Sequence, residues 1–319
     1  MDAEQYATWS NLAVASATVV FGLAWLAFVA EWAFGSVGSA VAVQERALVG
    51  AGAGRRGPVA GQAPPVGDRS DLAGRIGLAL TVAASLVLTL GVLTRALAAG
   101  RVPWGNMYEF ATTGLLIAVA VYLVLVRVVG VRWLGPWVTG FAVVVLGLAF
   151  TVYVPAGPLV PALHSYWLVL HVSAAALAGG AFVVGAGASA LFLVKDRAER
   201  RTPPEQRTGY LWRLPPSAAM DRVAHRVHAF AFPIWTFAAL IAGPIWAQYA
   251  WGRYWGWDPK EVWAFITWVV YAAYLHARST AGWRGRGAAV LALVGFATFL
   301  FNFIGINLLV SGLHSYAGV

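Results

Sequence analysis

The segment Trp251–Glu261 carries a contiguous group of aromatic side chains in the sequence WGRYWGWDPKE. Three tryptophans and one tyrosine fall within seven residues, and the glycines between them allow the backbone to turn closely. Such a group suits a large, flat, apolar ligand such as a porphyrin, which stacks on aromatic faces. Two plainer interpretations stay open, because tryptophan is common at membrane interfaces and Asp258, Pro259 and Glu261 form the pattern of a capped helix start.

Histidine is the second residue type that suits such a ligand, because neutral imidazole is a common axial ligand of haem iron. The six histidines of the chain are His164, His171, His225, His228, His276 and His314. We predict His171 about one turn inside the outer end of a fifth membrane span, and His314 just past the outer end of an eighth. Two imidazoles then approach one outer region from opposite sides. The sequence contains no cysteine, which excludes disulfides, thiolate metal sites and a CxxC redox role.

The other histidines have weaker claims to a ligand role. We predict His276 near the inner end of a seventh span, about 22 Å from its outer end. An ionisable residue inside a span is a functional candidate, with snorkelling or helix capping as the alternative. His164 lies one heptad before His171 and is a secondary candidate. His225 and His228 lie among arginines of an inner loop, and we expect both to be solvated.

Polar groups beside these regions also have two interpretations. Asn106 and Glu109 suit the N-cap and first-turn acid of a helix, or, together with Tyr108, an outer layer around the ligand site. Arg253 and Lys260 suit charge-assisted hydrogen bonds to the propionates of a haem. The residue pattern alone does not choose between these roles.

Composition and apolar runs identify the elements that position these residues. Of the 319 residues, 60% are hydrophobic and 11% are charged, whereas about a quarter are charged in a typical soluble protein. A membrane helix needs about 20 mostly apolar residues. Eight segments meet that requirement, near residues 11–33, 76–99, 108–128, 133–153, 166–194, 226–249, 261–278 and 287–310. The predicted fold is therefore all-α, a polytopic integral membrane protein with about eight transmembrane helices.

The distribution of arginine predicts the orientation of these spans. Basic residues concentrate in the connections 31–75, 127–132, 195–226 and 278–286, whereas the alternate connections are rich in Trp, Tyr and Pro. The positive-inside rule places the basic connections in the cytoplasm and both termini on the outer face. It also accounts for the net charge of +9 without nucleic acid, so we expect a lipid bilayer and no nucleic-acid partner.

Two regions divide the chain. Residues 1–75 are predicted to form the first transmembrane helix and a flexible cytoplasmic linker, since 49–71 is rich in Gly, Pro and Arg. Residues 76–319 are predicted to form the transmembrane domain that handles the ligand, with an external tryptophan-rich loop near 251–261.

The segment Trp251–Glu261 matches the tryptophan-rich motif WGxxWxWDxxE of the haem-handling protein family. The flanking sequence resembles the CcsA/ResC branch of the system II cytochrome c synthesis machinery. Matching segments occur in the same order along the chain, at Trp104–Glu109, Ser165–Val172, Tyr274–His276 and Gly312–Tyr316. The resemblance covers roughly residue 76 to the C-terminus and leaves out the first helix and the linker.

This resemblance implies haem b as the cofactor, with His171 and His314 as external axial ligands. It implies that His276 is an intramembrane ligand, opposite a ligand from a CcsB/ResB-like membrane subunit. The remaining cofactor-binding positions it implies are Trp251, Trp255, Trp257 and Asp258. No catalytic side chain is expected in this chain, because the reacting thiols belong to the apocytochrome c.

The implied function is that of the haem-binding subunit of a holocytochrome c synthase (haem lyase) complex in the bacterial cytoplasmic membrane. It moves haem to the outer face and presents it for thioether attachment to a CxxCH motif. A haem exporter without synthase activity remains an alternative. A second alternative is an electron-transfer subunit with b-type haems, although such subunits usually carry facing histidine pairs and only His276 lies inward here.

Overall fold

The computed structural model describes residues 2–51, 66–159, 163–280, 283–310 and 312–313, and contains no strand within these ranges. The helices are α1 (Ala3–Ala51), α2 (Val66–Ala99), α3 (Met107–Val129), α4 (Gly135–Thr151), α5 (Tyr166–Arg201), α6 (Ser217–Thr236), α7 (Gly243–Trp251), α8 (Pro259–Ser279), α9 (Arg286–Leu300) and α10 (Ile306–Leu309). Two π-helical segments, Phe237–Ala242 and Phe301–Gly305, join α6 to α7 and α9 to α10, so that each pair forms one continuous rod.

Seven of these rods are long and apolar enough to cross a membrane, namely α1 to α5, α6–α7 and α9–α10. Helix α8 has 21 residues, about 31 Å at 1.5 Å per residue, so it is also long enough to cross. Apolar side chains cover the outside of the bundle. On α2, for example, Leu86, Leu90, Leu93 and Leu97 recur at helical spacing and are 51–67% exposed. The predicted class, an all-α polytopic membrane protein, is confirmed.

Each of the eight predicted spans corresponds to one rod of the structure, and most rods are longer than predicted. The predicted linker at 49–71 falls mostly outside the described residues. At its edges the chain is helical, through Ala51 and again from Val66. The division of the chain at residue 75 and the outer placement of both termini stay predictions.

Helix α5 lies at the centre of the bundle. Its most apolar stretch is 72% buried, compared with 33–39% for the other six spans. Every residue from Ala178 to Ser189 is buried, and most of them are Gly or Ala, which let membrane helices pack closely. A Cβ on Gly180 would lie 2.7 Å from the Cα of Ala118 on α3. Close packing around α5 therefore fixes the positions of the helices that surround it.

Candidate functional site

A large cavity opens at the end of the bundle that carries Trp251–Glu261, which we call the tryptophan segment; this end is the predicted outer side. The cavity lies between α3, α4, α5, α8 and the two π-containing rods, and it holds about 1630 Å³ of space including its open mouth. Along α5 its wall runs from His171 to Val183, about 18 Å at 1.5 Å per residue.

The wall of this cavity is mostly apolar. Among the described residues that line it, the titratable ones are His171, Lys260 and Glu261. Small residues on α3 and α5 create the space, with Gly114 facing it so openly that a Cβ there would meet no atom within 4 Å. The cavity therefore suits a large apolar ligand with few polar groups.

His171 is held in one orientation by α7 and the π-helical segment before it. Its Nδ1 lies 2.8 Å from the carbonyl oxygen of Ala238. Because that oxygen can only accept, Nδ1 carries the hydrogen, and the neutral ring has its lone pair on Nε2. The imidazole stacks on Trp246 with ring centroids 5.8 Å apart. Gly243 leaves room for the ring, since a Cβ there would lie 3.1 Å from its Cε1 and Nδ1 atoms.

Both π-helical segments form part of the cavity wall. Such segments are rare and occur frequently at functional sites. The first provides Ala238, whose carbonyl accepts from His171. The second provides Asn302, which is 5% exposed, lines the cavity, and has an Oδ1 atom with no hydrogen-bond partner in the described chain. A buried amide oxygen of this kind requires a polar partner, which a ligand in the cavity can supply.

The tryptophan segment divides into positions that the structure places differently. Trp251 packs edge-on against Trp246, with centroids 4.8 Å apart, and thus supports the residue that stacks on His171. Trp255 lines the cavity. Trp257 is 69% exposed, contacts Trp255 edge-on, and adopts a positive φ of 56°, which is a strained conformation for an aromatic residue.

Asp258 and Glu261 start α8 with the predicted capping box. Glu261 Oε2 accepts from the backbone N–H groups of Gly256 and Asp258, at 2.8 and 3.0 Å. Asp258 accepts from the N–H of Lys260 through Oδ2 and, at 2.9 Å, from the N–H of Leu313 through Oδ1. Asp258 thus ties the tryptophan segment to the chain immediately before His314. His314 itself lies outside the described residues.

Behind the cavity wall, Glu109 forms a buried ion-pair network. Its carboxylate accepts from Arg95 at 2.9 Å, from Arg101 at 2.8 Å and from the N–H of Gly105 at 2.7 Å. The two arginines also donate to the carbonyl oxygens of Val154 and Gly157, in the connection after α4. The network joins two connections at this end of the bundle to the start of α3.

Asn106 caps α3, which is one of the two roles considered for it, because its side chain accepts from the N–H of Glu109 at 3.0 Å. Its neighbours Tyr108 and Glu109 do not line the cavity. Asn106 and Glu109 hold the start of α3 in place, while Trp104 and Met107 on the same stretch line the cavity.

His164 and His276 both lie away from the cavity. His164 is exposed just before α5. His276 is exposed near the inner end of α8, where its carbonyl oxygen accepts from the hydroxyls of Ser279 and Thr280. Neither lines the cavity around His171. The ligand roles of His171, His276 and His314 stay predictions.

The expectation that His228 is solvated was wrong. His228 is fully buried beside Ser189, with Nε2 3.4 Å from the hydroxyl oxygen, and packs on Tyr271 and Tyr274 at centroid distances of 5.3 and 5.2 Å. Its Nδ1 has no hydrogen-bond partner among the described residues. His225, one turn earlier, is half-buried. The adjacent arginines suggested an inner-face loop, whereas residues 217–236 form helix α6 and turn His228 towards α5.

A second, polar cavity, with about 870 Å³ of space including its open mouth, lies near the opposite end of the bundle and is lined by Glu31, Asp71, Arg132 and Tyr210 among others. Arg132 bridges the two carboxylates at 3.2 and 2.7 Å. Tyr210 lies in the connection between α5 and α6 and donates to Glu31. Burial, and secondly the charge of Glu31, raise the pKa of the Tyr210 phenol far above its usual value, so this phenol stays protonated.

Several residues of the site were not singled out from the sequence, namely Trp246, Ala238, Gly243 and Asn302. No sequence pattern marks a π-helical segment, so nothing in the sequence pointed to the Ala238 carbonyl or the Asn302 side chain. Arg95 could have been found from the sequence, because an ionisable residue within an apolar span is a functional candidate by default.

Comparison with known proteins gives one consistent family. The family model described as "Cytochrome C assembly protein" matches residues 80–314. The cytochrome c biogenesis protein CcsA of Guillardia theta is 36% identical and is aligned over 76% of this chain and 85% of its own length. CcsA of Synechococcus sp. (strain JA-2-3B'a(2-13)) is 37% identical, over 77% and 84%. CcsA of Chlamydomonas reinhardtii is 35% identical, over 73% and 65%.

The fold and the cavity define the chain as a multi-pass helical membrane protein with a cavity that suits a large apolar ligand. The family match covers more than two thirds of the chain and includes the whole tryptophan segment. The chain belongs to the cytochrome c assembly protein family, and its role lies in cytochrome c biogenesis. Haem handling follows from that membership.

Proposed function

We propose that this chain is the haem-binding subunit of a cytochrome c synthase complex. It holds haem b at the outer membrane face and presents it for thioether attachment to the CxxCH motif of an apocytochrome c. The observation that carries this proposal is the geometry of His171 in the cavity wall. Its hydrogen bond to the Ala238 carbonyl orients the ring and sets the tautomer, as such bonds do for histidines that bind metals.

The cavity around His171 suits haem in shape and chemistry. Its apolar wall accommodates the porphyrin, and Trp255 presents an aromatic side chain there. The amide of Asn302 offers a polar contact within the wall. The apolar wall and the aromatic side chain support haem rather than a small polar ligand.

We assign the opposite axial position to His314. The residue before it, Leu313, is held by Asp258 through a hydrogen bond of 2.9 Å. Asp258 therefore acts as a positioning residue, which keeps the segment carrying His314 beside the tryptophan segment. The assignment explains how a carboxylate that does not line the cavity contributes to the site.

Thioether formation in this site depends on positioning. Each thiol of the CxxCH motif adds its sulfur and its hydrogen across one vinyl group, so one C–S bond forms and no oxidant or reductant is consumed. The chain contributes by holding the ring, excluding water from the apolar cavity and orienting the vinyl groups. Orientation alone can accelerate such a reaction strongly, so no acid, base or nucleophile of this chain is required.

We assign haem entry to the inner side, near His276. This side chain is exposed on α8, two residues before Arg278, and its exposure suits contact with a CcsB/ResB-like membrane subunit that supplies the opposite ligand. The basic connections suit the cytoplasmic face of a bacterial cytoplasmic membrane. The cavity mouth and both termini then lie on the outer face.

The absorption spectrum of the purified chain with its partner subunit tests the proposal. We expect a Soret band with split α and β bands, and loss of most of the bound haem in His171→Ala and in His314→Ala. The matched control is His164→Ala, which removes an exposed outer histidine outside the cavity and should keep the parent spectrum.

Unchanged spectra and full cytochrome c maturation in both ligand variants would refute the ligand assignment. Co-expression with a CxxCH substrate then separates synthase from exporter. Covalent cytochrome c supports the synthase, whereas free external haem without covalent product supports export alone.

A further inference from the structure

Lys260 is the one cationic residue among the described residues that line the cavity. It lies in the first turn of α8, directly after the tryptophan segment's Pro259. A cation at this end of a helix is unfavourable, because the positive end of the helix dipole lies there. Helix stability therefore does not explain a lysine at this position.

The carboxylates closest to Lys260 in sequence are already engaged by backbone groups. Glu261 accepts from two N–H groups of the tryptophan segment, and Asp258 accepts from the N–H of Lys260 and of Leu313. The Lys260 ammonium forms no ion pair with any carboxylate of the described chain. It is half-buried beside an apolar space, where the nearby charge of Asp258 offsets only part of the cost of burying the ammonium.

The other lysine of the sequence, Lys195, differs from Lys260 in how its charge is compensated. Lys195 is buried near the inner end of α5, donates to the carbonyl oxygen of Leu211 at 2.7 Å, and lies over the ring of Trp212 at 4.4 Å. It also approaches Glu199 at 3.9 Å. Lys195 is thus compensated within the protein, whereas Lys260 has the environment of a group that meets its partner in the cavity.

Arg253, the other cation of the tryptophan segment, is placed differently. It is exposed, its guanidinium folds over Gly256, and it does not line the cavity. Of the two cations considered for propionate binding, the structure brings only Lys260 to the ligand space.

We propose that Lys260 binds a carboxylate of the ligand in this cavity, which is a haem propionate if the proposed function holds. The ammonium donates a charge-assisted hydrogen bond to the carboxylate, a strong contact in apolar surroundings. In protoporphyrin IX the propionates and the vinyl groups occupy opposite edges. A propionate at Lys260 therefore turns the vinyl edge away from the first turn of α8, which fixes the orientation in which the ring is presented.

Binding of two porphyrins that differ only at these carboxylates tests the role of Lys260. The purified full chain is titrated with ferric protoporphyrin IX and with its dimethyl ester, and dissociation constants are taken from the Soret band. We expect the parent to bind the free acid about tenfold or more tightly than the ester, as for hydrogen bonds to charged groups. In Lys260→Met this ratio should fall to about one, while Lys260→Arg should keep most of it.

Arg253→Gln is the matched control, since it removes one positive charge from the same segment outside the cavity. It should keep the parent's ratio. If the parent binds both porphyrins and Lys260→Met keeps the same ratio, the role of Lys260 is wrong while the proposed function stands. If the parent binds neither porphyrin, the proposed function fails and the propionate contact fails with it.

Discussion

The two halves of α5 differ in what surrounds them. In the outer half, Tyr166–Leu177 at the predicted outer side, most residues are partly exposed and several line the cavity. The inner half, Ala178–Ser189, is buried without interruption, although Gly179, Gly180 and Val183 border the deep end of the cavity. The inner half is closely packed, with Phe182 stacked on Tyr271 at 3.9 Å and Gly185 against the ring of His228. One helix thus borders an open site at one end and a dense core at the other.

This difference shows how an open cavity is maintained in a membrane bundle. Close packing stabilises the inner half, but it is not available around an empty space. The outer half instead uses hydrogen bonds and buried ion pairs behind the cavity wall, centred on Glu109 and on the Asp258–Glu261 capping box. We therefore expect the two halves to respond to different kinds of substitution.

The largest effect is expected from Glu109→Gln. The substitution leaves the guanidinium groups of Arg95 and Arg101, which are 2% and 12% exposed, without a compensating charge. Breaking a buried ion pair in this way costs about 3–5 kcal/mol. The free energy of unfolding in detergent, measured by denaturant titration, should fall by that amount.

Asp71→Asn provides the matched control for Glu109→Gln. Asp71 pairs with Arg132 and Arg75, but its side chain is 52% exposed, and exposed pairs contribute about 0–1 kcal/mol. Equal losses in the two variants would show that the Glu109 network does not support the outer half.

Much of this arrangement could be predicted from the sequence. Apolar run length gave eight spans, and the Asp258-Pro259-x-Glu261 pattern gave the start of α8, because both depend on local properties of the chain. The tryptophan segment and His171 were assigned to one outer region, and the structure places Trp255 and His171 on the same cavity.

What could not be predicted depends on helix rotation and on irregular turns. His228 was interpreted as solvated from its charged neighbours, although Ala224, Val227 and Ala231 place it on a buried face at helical spacing. Asn302 lies in a π-helical segment, which shifts the face a residue presents and leaves no pattern in the sequence. Such features are decided by packing between helices.

A smaller loss of stability is expected from Gly185→Ala in the inner half, and its cause is overpacking and not a broken ion pair. The added methyl group would lie 2.6 Å from Cε1 of His228 and 2.8 Å from its Nε2. Overpacking of a dense core costs about 1–3 kcal/mol. The free energy of unfolding should fall accordingly, while haem affinity, measured by Soret titration, stays close to the parent value. A loss of affinity without loss of stability would contradict the separation of the two halves.

The smallest effect on stability is expected from Gly114→Ala, on the cavity wall. A methyl group there meets no atom within 4 Å, and replacing glycine within a helix removes a conformational cost of about 0.5–1 kcal/mol. The free energy of unfolding should therefore stay constant or rise slightly, in contrast to Gly185→Ala. If the two substitutions were equally destabilising, the space beside α3 would be closed in the folded protein.

A larger side chain at position 114 tests more sharply whether the cavity is kept open for a ligand. Gly114→Leu should also fold, because its side chain extends into the cavity and not into a neighbouring helix. It should nevertheless weaken haem binding about tenfold or more, since the leucine occupies ligand space and the surrounding wall is fixed by α5. A variant that keeps its stability but loses its ligand would show that the open outer half is retained for binding, because filling it costs the fold nothing.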